Sequence, residues 1–404
     1  MAEKRELVIV GAGIIGLATA REMLVRRPGL DLLVLEKEPE IGRHQTGHNS
    51  GVIHTGLYYA PGSLKARLCR AGSRQLFEFC AEHQIPVERC GKLLIATTPV
   101  ELPRLDELFR RGNLNGVPDL RLLPGAAIAE FEPHAVGLRA LHSPHTAIVD
   151  FSLVAKALAQ DVVQSGGRIA TSTEVRSIRR SAGAWRLQTA HEVISAAALI
   201  TCGGLWSDQL AVMTGGSPDP RVIPFRGDYL QLKATSRRLV NGLIYPVPDP
   251  ALPFLGVHTT LRADGSVWLG PNAVFAFARA GYRFHSLSLP ELRSSLGWPG
   301  FWRMARRYWK TSLAEMYRDV NRRAFVRALQ RFLPDLRPSD VLPGPSGVRA
   351  QAVARNGTLV DDFVFSGNDG VLHVRNAPSP AATSSLAIAG EIAGRFQDQF
   401  LRSR

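Results

Sequence analysis

Leu7-Val8-Ile9-Val10-Gly11-Ala12-Gly13-Ile14-Ile15-Gly16 is the stretch whose reading decides the fold. Four apolar residues in a row read as a strand buried on both faces. The glycines then follow at G-x-G-x-x-G spacing, and Ile14, Leu17, Ala18 and Val25 mark the apolar side of a helix running to about Arg26. Leu32-Leu33-Val34-Leu35 is the next strand, ending at Glu36 and Lys37. A parallel crossover needs a helix of about this length. Gly11 permits the tight turn, Gly13 lets backbone approach a pyrophosphate, and Gly16 lets the helix pack on the sheet. The helix that opens at Ile14 turns free N–H groups and a partial positive charge toward phosphate. Glu36 is placed to accept ribose hydroxyls, and an acid there argues against a 2′-phosphate. The unit reads as a site for FAD or NAD rather than NADP.

Working outward, the chain has 404 residues, 45% hydrophobic and 21% charged, an ordinary globular composition for two or three domains. A helix is expected from Lys65 to about Glu82, strands over 91–97 and 140–148, and a helix over 152–164 capped by Asp150 and stopped by Gly166-Gly167. Ala197-Ala198-Leu199-Ile200 reads as a buried strand entering Thr201-Cys202-Gly203-Gly204-Leu205-Trp206-Ser207. From Pro218 prolines crowd between strand-like pieces, the texture of an antiparallel second domain. Residues 291–333 read as helical, 372–374 as a strand, and a last helix starts near Ala382. Cys69, Cys80, Cys90 and Cys202 form no C-x-x-C pair, which speaks against a zinc site or a disulfide framework and for a reducing compartment. Glu3-Lys4-Arg5 before the uncharged run 7–20 imitates a signal peptide, but the glycine pattern explains that run. No stretch reaches the roughly 20 apolar residues of a spanning helix.

The charge is uneven. The chain holds 49 Lys+Arg against 35 Asp+Glu, a formal +14, with a pI near 10.2. Between Arg279 and Arg337 there are 13 basic residues and four acids, so this segment carries +9, with Trp298, Trp302 and Trp309 inside it. Basic residues interleaved with aromatics on helices have the composition of an anionic membrane-surface patch. No nucleic-acid motif accompanies them, and no nucleic-acid partner is expected. A solvated basic face over an aromatic core is the competing reading. The expected location is cytoplasmic, peripheral on the inner face of the cell membrane.

The turn 201–207, late in the chain and after a buried strand, resembles the second flavin-contacting turn of D-amino-acid-oxidase-type flavoproteins. That resemblance implies FAD and a discontinuous nucleotide domain. Leu372–Pro380 followed by Ala381-Ala382-Thr383 would be its C-terminal return, aiming a helix N-terminus at the flavin. His44-Gln45-Thr46-Gly47-His48-Asn49-Ser50-Gly51-Val52-Ile53-His54 narrows the likeness, with Tyr58-Tyr59, 61–66, 143–146, 224–229, 244–250, 253–258, 268–272 and 346–351. These blocks resemble the L-2-hydroxyglutarate dehydrogenase/oxidase family from Val8 to the C-terminal helix, most weakly over 279–337. The resemblance implies an α/β fold: a discontinuous Rossmann-like FAD domain (1–90, 146–217, 341–404) interleaved with an antiparallel-sheet substrate domain (91–145, 218–340). It implies cofactor contacts from Thr46, His48, Asn49, Ser50, Val175, Cys202, Gly203, Ser379, Ala381, Ala382 and Thr383. It also implies oxidation of L-2-hydroxyglutarate to 2-oxoglutarate, with electrons passed to a quinone or oxygen. Another FAD-dependent hydroxy-acid, amino-acid or glycerol-3-phosphate oxidase is the alternative.

Such a reaction needs a base for the hydroxyl proton and cations for two carboxylates of the small dicarboxylate substrate. His54 is the first candidate base and His258 its rival, while His44 and His48 are expected to shape the flavin loop. Arg226, Arg262 and Arg349 are the guanidinium candidates, since a planar fork matches a carboxylate. Tyr58 and Tyr59 would hydrogen-bond substrate or pack. No cysteine falls in the blocks where related oxidases tether flavin, so FAD is expected to be non-covalent. Acid precipitation of the purified protein should therefore leave a yellow supernatant over a colourless pellet; a yellow pellet contradicts this.

Overall fold

The opening unit folds as its pattern requires: strand Lys4–Val10, helix Ile14–Arg26, strand Leu32–Leu35. The computed structural model describes residues 4–250, 256–283, 285–368 and 370–402, so the Pro253-Phe254-Leu255 part of one matching block lies outside the described residues. Lys4–Val10 lies between two parallel neighbours, Leu32–Leu35 and Val193–Thr201, and Arg168–Ala170 pairs outside Leu32–Leu35. The far edge of Val193–Thr201 is shared. Its first half pairs antiparallel with Ala184–Gln188, and Leu199–Thr201 pairs parallel with Val371–His373. One sheet is thus assembled from the two ends and the middle of the chain. Helices Ile14–Arg26, Phe151–Gln164 and Ser385–Arg402 cover one face, and Ile9, Leu17, Val34, Leu158, Ile388 and Ile392 share a single core there. Asp150 caps its helix as expected, its Oδ1 accepting the Ser152 N–H at 2.7 Å.

The second sheet has nine strands among the described residues. Arg221–Leu232 pairs on one side with Val267–Gly270 and Val274–Phe275; beyond them lie His258–Leu261, Leu243–Pro246, Lys92–Ala96, Arg139–Ser143 and Arg121–Pro124. Lys92–Ala96 is an interior strand, parallel to Leu243–Pro246 and antiparallel to Arg139–Ser143. A three-strand ribbon of Val52–Ile53, Ala147–Val149 and Val87–Glu88 joins the two bodies.

Two expectations shift. The single strand over 140–148 is two strands in two sheets, Arg139–Ser143 and Ala147–Val149, because Pro144 stands in a turn between them. The domain boundary at 341 also moves. Val341–Val353 runs antiparallel along Arg221–Leu232, from Leu232↔Val341 to Arg221↔Val353, so it belongs to the second sheet. The return to the nucleotide sheet comes at Val364–Asn368, beside Val371–Asn376. Pro343 and Pro345 are tolerated there because on an edge strand a missing N–H breaks no ladder.

The basic segment forms helices Leu289–Leu296, Pro299–Val320 and Arg322–Leu329. The last packs Phe325, Val326 and Leu329 into the second core. Trp298 is buried, but Trp302, Trp309, Leu313, Met316 and Tyr317 are exposed. The two bodies are clamped by Arg279, fully buried, whose Nη2 donates to Asp208 Oδ2 at 2.9 Å.

Candidate active site

The nucleotide end is built by backbone. A Cβ on Gly16 would lie 1.9 Å from the Gly11 carbonyl oxygen, and one on Gly11 would lie 2.5 Å from that of Cys202. Glycine is required at both for the turns to meet. Glu36 is buried; its Oε2 accepts the Ala12 N–H at 2.8 Å and its Oε1 the Glu38 N–H at 2.9 Å. The carboxylate is thereby fixed, with lone pairs left for ribose hydroxyls. The helix start at Gly13 has no side-chain cap and no acid in its first turn, leaving donors for an anion. Thr46 Oγ1 accepts the Ile14 N–H at 3.0 Å. Val175 is buried, just beyond Thr173, whose N–H reaches the Glu36 carbonyl at 2.7 Å. Lys37 instead lies 3.8 Å from the Trp206 ring centre and pairs with Glu38 at 2.6 Å.

The loop 44–51 is locked by its own polar groups. His44 Nε2 meets Glu38 at 2.8 Å, and its Nδ1 meets the Tyr282 hydroxyl at 3.1 Å. His48 stacks on Tyr282 at 4.0 Å and bonds the Ser346 carbonyl at 3.0 Å. Both histidines hold the loop against the second domain, through Tyr282 and Ser346. Asn49 Nδ2 donates to the Thr46 carbonyl at 2.6 Å, and its Oδ1 accepts the Gly51 N–H at 2.8 Å, with Ser50 half-buried between.

At the other end, Thr383 joins the C-terminal return to the ribbon. Its Oγ1 accepts the His54 N–H at 3.1 Å and donates to the Val52 carbonyl at 3.2 Å. The helix begins at Ser385, three residues later than expected, because 381–384 form turns. Ser384 and Ser385 keep buried hydroxyls with no hydrogen-bond partner. Ser379 is exposed, and Ala381 and Ala382 are half-buried beside them. Open donors at one helix start, a fixed carboxylate, and unpaired buried hydroxyls at a second helix start fit the two ends of FAD.

Next to that second end lies a buried cationic cluster. His54 has an unpartnered Nδ1, and burial, then Lys92, His258 and Lys65, hold its imidazole well below the usual histidine range. His258 donates Nδ1–H to the Gly256 carbonyl at 2.9 Å, and its ring lies tilted against Tyr245 with centroids 4.0 Å apart. Burial, opposed by that bond and reinforced by Arg349 and Lys92, lowers it to about 3. Both imidazoles are neutral at physiological pH. Tyr58 carries a buried, unpartnered hydroxyl, and burial raises it well above the usual range. Tyr59 is similarly raised by burial, although its hydroxyl meets Ser379. Lys92, 2% exposed, faces the Tyr58 and Tyr245 rings at 4.9 and 4.5 Å from their centres. Arg349, within electrostatic reach of Tyr229, Glu315, Tyr245 and His258, is lowered by burial and remains a guanidinium.

The family model described as FAD dependent oxidoreductase matches residues 6–395. L-2-hydroxyglutarate dehydrogenase, mitochondrial, of Homo sapiens is 48% identical, covering 98% of this chain and 89% of its own. L-2-hydroxyglutarate dehydrogenase of Indibacter alkaliphilus is 45% identical, covering 96% and 97%. The chain belongs to the L-2-hydroxyglutarate dehydrogenase family of FAD-dependent oxidoreductases. An L-α-glycerophosphate oxidase from Mycoplasma pneumoniae, solved with FAD bound, shares the fold at 22% identity with a TM-score of 0.79, covering 98% of this chain and 95% of its own.

Two of the arginines singled out from sequence go elsewhere. Arg226 is buried in a double ion pair, with Asp228 at 2.9 Å and Asp319 at 3.2 Å, so its fork is filled by protein carboxylates. Arg262 stacks on Trp268 at 4.0 Å and donates Nη1–H to the Asn49 carbonyl at 2.8 Å, supporting the flavin loop. Sequence reasoning missed Lys92 and Tyr245. The available signal was a lysine opening the otherwise apolar run Leu93-Leu94-Ile95-Ala96.

A histidine lowered by burial stays a competent base until the pH falls through its lowered value. The acid limb of kcat/KM is therefore expected well below pH 6.5, and a limb at or above 6.5 contradicts the assignment. His54→Ala should slow flavin reduction about 10²–10⁴-fold at unchanged FAD content, measured by anaerobic stopped flow.

Proposed function

We propose that this chain oxidises L-2-hydroxyglutarate to 2-oxoglutarate, with His54 taking the hydroxyl proton and non-covalent FAD as the cofactor. The observation that carries the reading is the buried cluster of two neutral histidines with Lys92 and Arg349, tied through His54 to Thr383 just before the helix start at Ser385. The names of the 42–50% identical relatives support it. Bound FAD supplies a two-electron acceptor. The protein's part is to hold the diacid by its carboxylates, present a neutral imidazole to the C2 hydroxyl, and keep water out. His54 is preferred over His258 because its backbone is tied to Thr383 at the flavin end, whereas His258 already spends Nδ1–H on Gly256. Glu36, the first turn from Ile14, and Thr46 would hold the adenosine and phosphates; Asn49 to His54 and 379–383 would hold the ring.

The acceptor we assign is a quinone, reached from an anionic membrane surface on the cytoplasmic side. Helix Pro299–Val320 supports this by exposing Trp302, Trp309, Leu313, Met316 and Tyr317 among Arg306, Arg307 and Lys310, with Arg322 and Arg323 exposed just beyond. Among the described residues no helix is long and apolar enough to cross a membrane.

Anaerobic titration tests the activity: L-2-hydroxyglutarate should bleach the flavin, and its D isomer, glycerol 3-phosphate and amino acids should not. Bleaching by one of those others instead replaces the substrate assignment. Cosedimentation with anionic vesicles tests the surface. Replacing Arg306, Arg307, Arg322 and Arg323 by Gln should abolish binding, and full retention sinks the electrostatic docking.

A further inference from the structure

Lys92 opens an interior strand of the second sheet and is among the largest fully buried side chains of the protein. Its surroundings are rings and neutral groups: Tyr58 from the loop after Val52–Ile53, and Tyr245 from the neighbouring strand. His54 and His258 lie within electrostatic reach, as do the thiols of Cys69, from helix Leu64–Glu82, and Cys90. Among the described residues its ammonium makes no ion pair or hydrogen bond. By contrast the neighbouring Lys65 is paired with Asp361 at 2.7 Å. A buried cation without an anion is strongly disfavoured, and such groups are retained where a ligand supplies the missing charge.

We infer that Lys92 is a specificity-determining residue that holds one carboxylate of the substrate through its ammonium, with Arg349 holding the other. The inference rests on the diacid-oxidation reading. The placement fits it: Lys92 lies against the Tyr58 and Tyr245 rings, and both Lys92 and Arg349, from different strands of one sheet, act electrostatically on His258. The Lys92 ammonium discriminates a diacid from a monoacid, because a monoacid held at its other end leaves this buried lysine without an anion.

Without an anion, burial lowers Lys92 to about 7, opposed only weakly by the two thiols. A bound carboxylate raises it. Dicarboxylate binding at pH 8 should therefore draw up to one proton from solution, since the free site is mostly neutral and the filled site is charged. At pH 6 the site is already protonated and uptake should vanish.

The test uses the FAD holoenzyme and glutarate, the substrate's carbon skeleton without its hydroxyl. Affinity is read from the flavin absorbance and proton uptake from calorimetry in buffers of different ionisation heat. Lys92→Met should weaken glutarate at least about 30-fold and abolish uptake at pH 8. Lys92→Arg, whose guanidinium stays charged, should keep most of the affinity and also lose the uptake. Wild-type affinity in Lys92→Met, or wild-type uptake in Lys92→Arg, overturns the inference. If Lys92→Met does not fold, the Lys92→Arg uptake still decides. Failure of L-2-hydroxyglutarate to bleach the wild-type flavin would remove the activity reading instead, which the glutarate arms leave separately readable.

Discussion

Between Gly11 and Cys202 there is no room for a side chain. A Cβ on Gly11 would fall 2.5 Å from the Cys202 carbonyl oxygen, and Gly11 holds a φ of +107° that L side chains rarely adopt. On either side, the Gly11 N–H reaches Leu35 and the Cys202 N–H reaches Val10, each at 2.7 Å. This contact sets the spacing of the first turn against the late turn at 201–204. Everything the nucleotide end does follows from it. The helix start, the Glu36 carboxylate and the strand Val193–Thr201 are brought to one edge, and Val371–Asn376 can then pair onto that edge and deliver the C-terminal helix.

The second consequence is electrostatic. The nucleotide body contributes backbone donors and helix starts, whereas the second sheet contributes side chains: Lys92, Tyr245, His258 and Arg349 come from four of its strands. Burial acts on all of them in the same sense, disfavouring the charged form. It leaves histidines neutral and makes each retained cation responsive to an incoming anion. Cys69, whose thiol lies 3.5 Å from the His54 carbonyl, is pushed up to about 12 by the same burial and so is not a thiolate nucleophile. The positive charge of this chain therefore includes two distinct populations: a buried few at the cluster, and exposed arginines and lysines on helix Pro299–Val320 and just beyond it.

Much of this was legible in the residues. Backbone-driven features were read most accurately: helix Ile14–Arg26, the Asp150 cap, the strand before Cys202 and the late return at 371–376 all rest on local patterns of apolar run, cap and glycine. Val341–Val353 was not: in the sequence it reads as part of the nucleotide domain, and only the presence of Arg221–Leu232 alongside makes it an edge strand of the second sheet. Arg226 and Arg349 looked alike in sequence. Which groups surround each guanidinium, Asp228 and Asp319 for Arg226 or Tyr229, Glu315 and Tyr245 for Arg349, depends on partners as far as 93 residues away or on other strands.

The sequence by itself determined the nucleotide fold and the cofactor class, because turn, helix start and ribose acceptor are spaced within one short β-α-β unit. Only the tertiary structure decided which cations belong to the site. A charge's role is set by what shares its dielectric surroundings, and Lys92 acquires Tyr58, Tyr245, His54 and His258 as neighbours only when strands from both halves of the chain close around it.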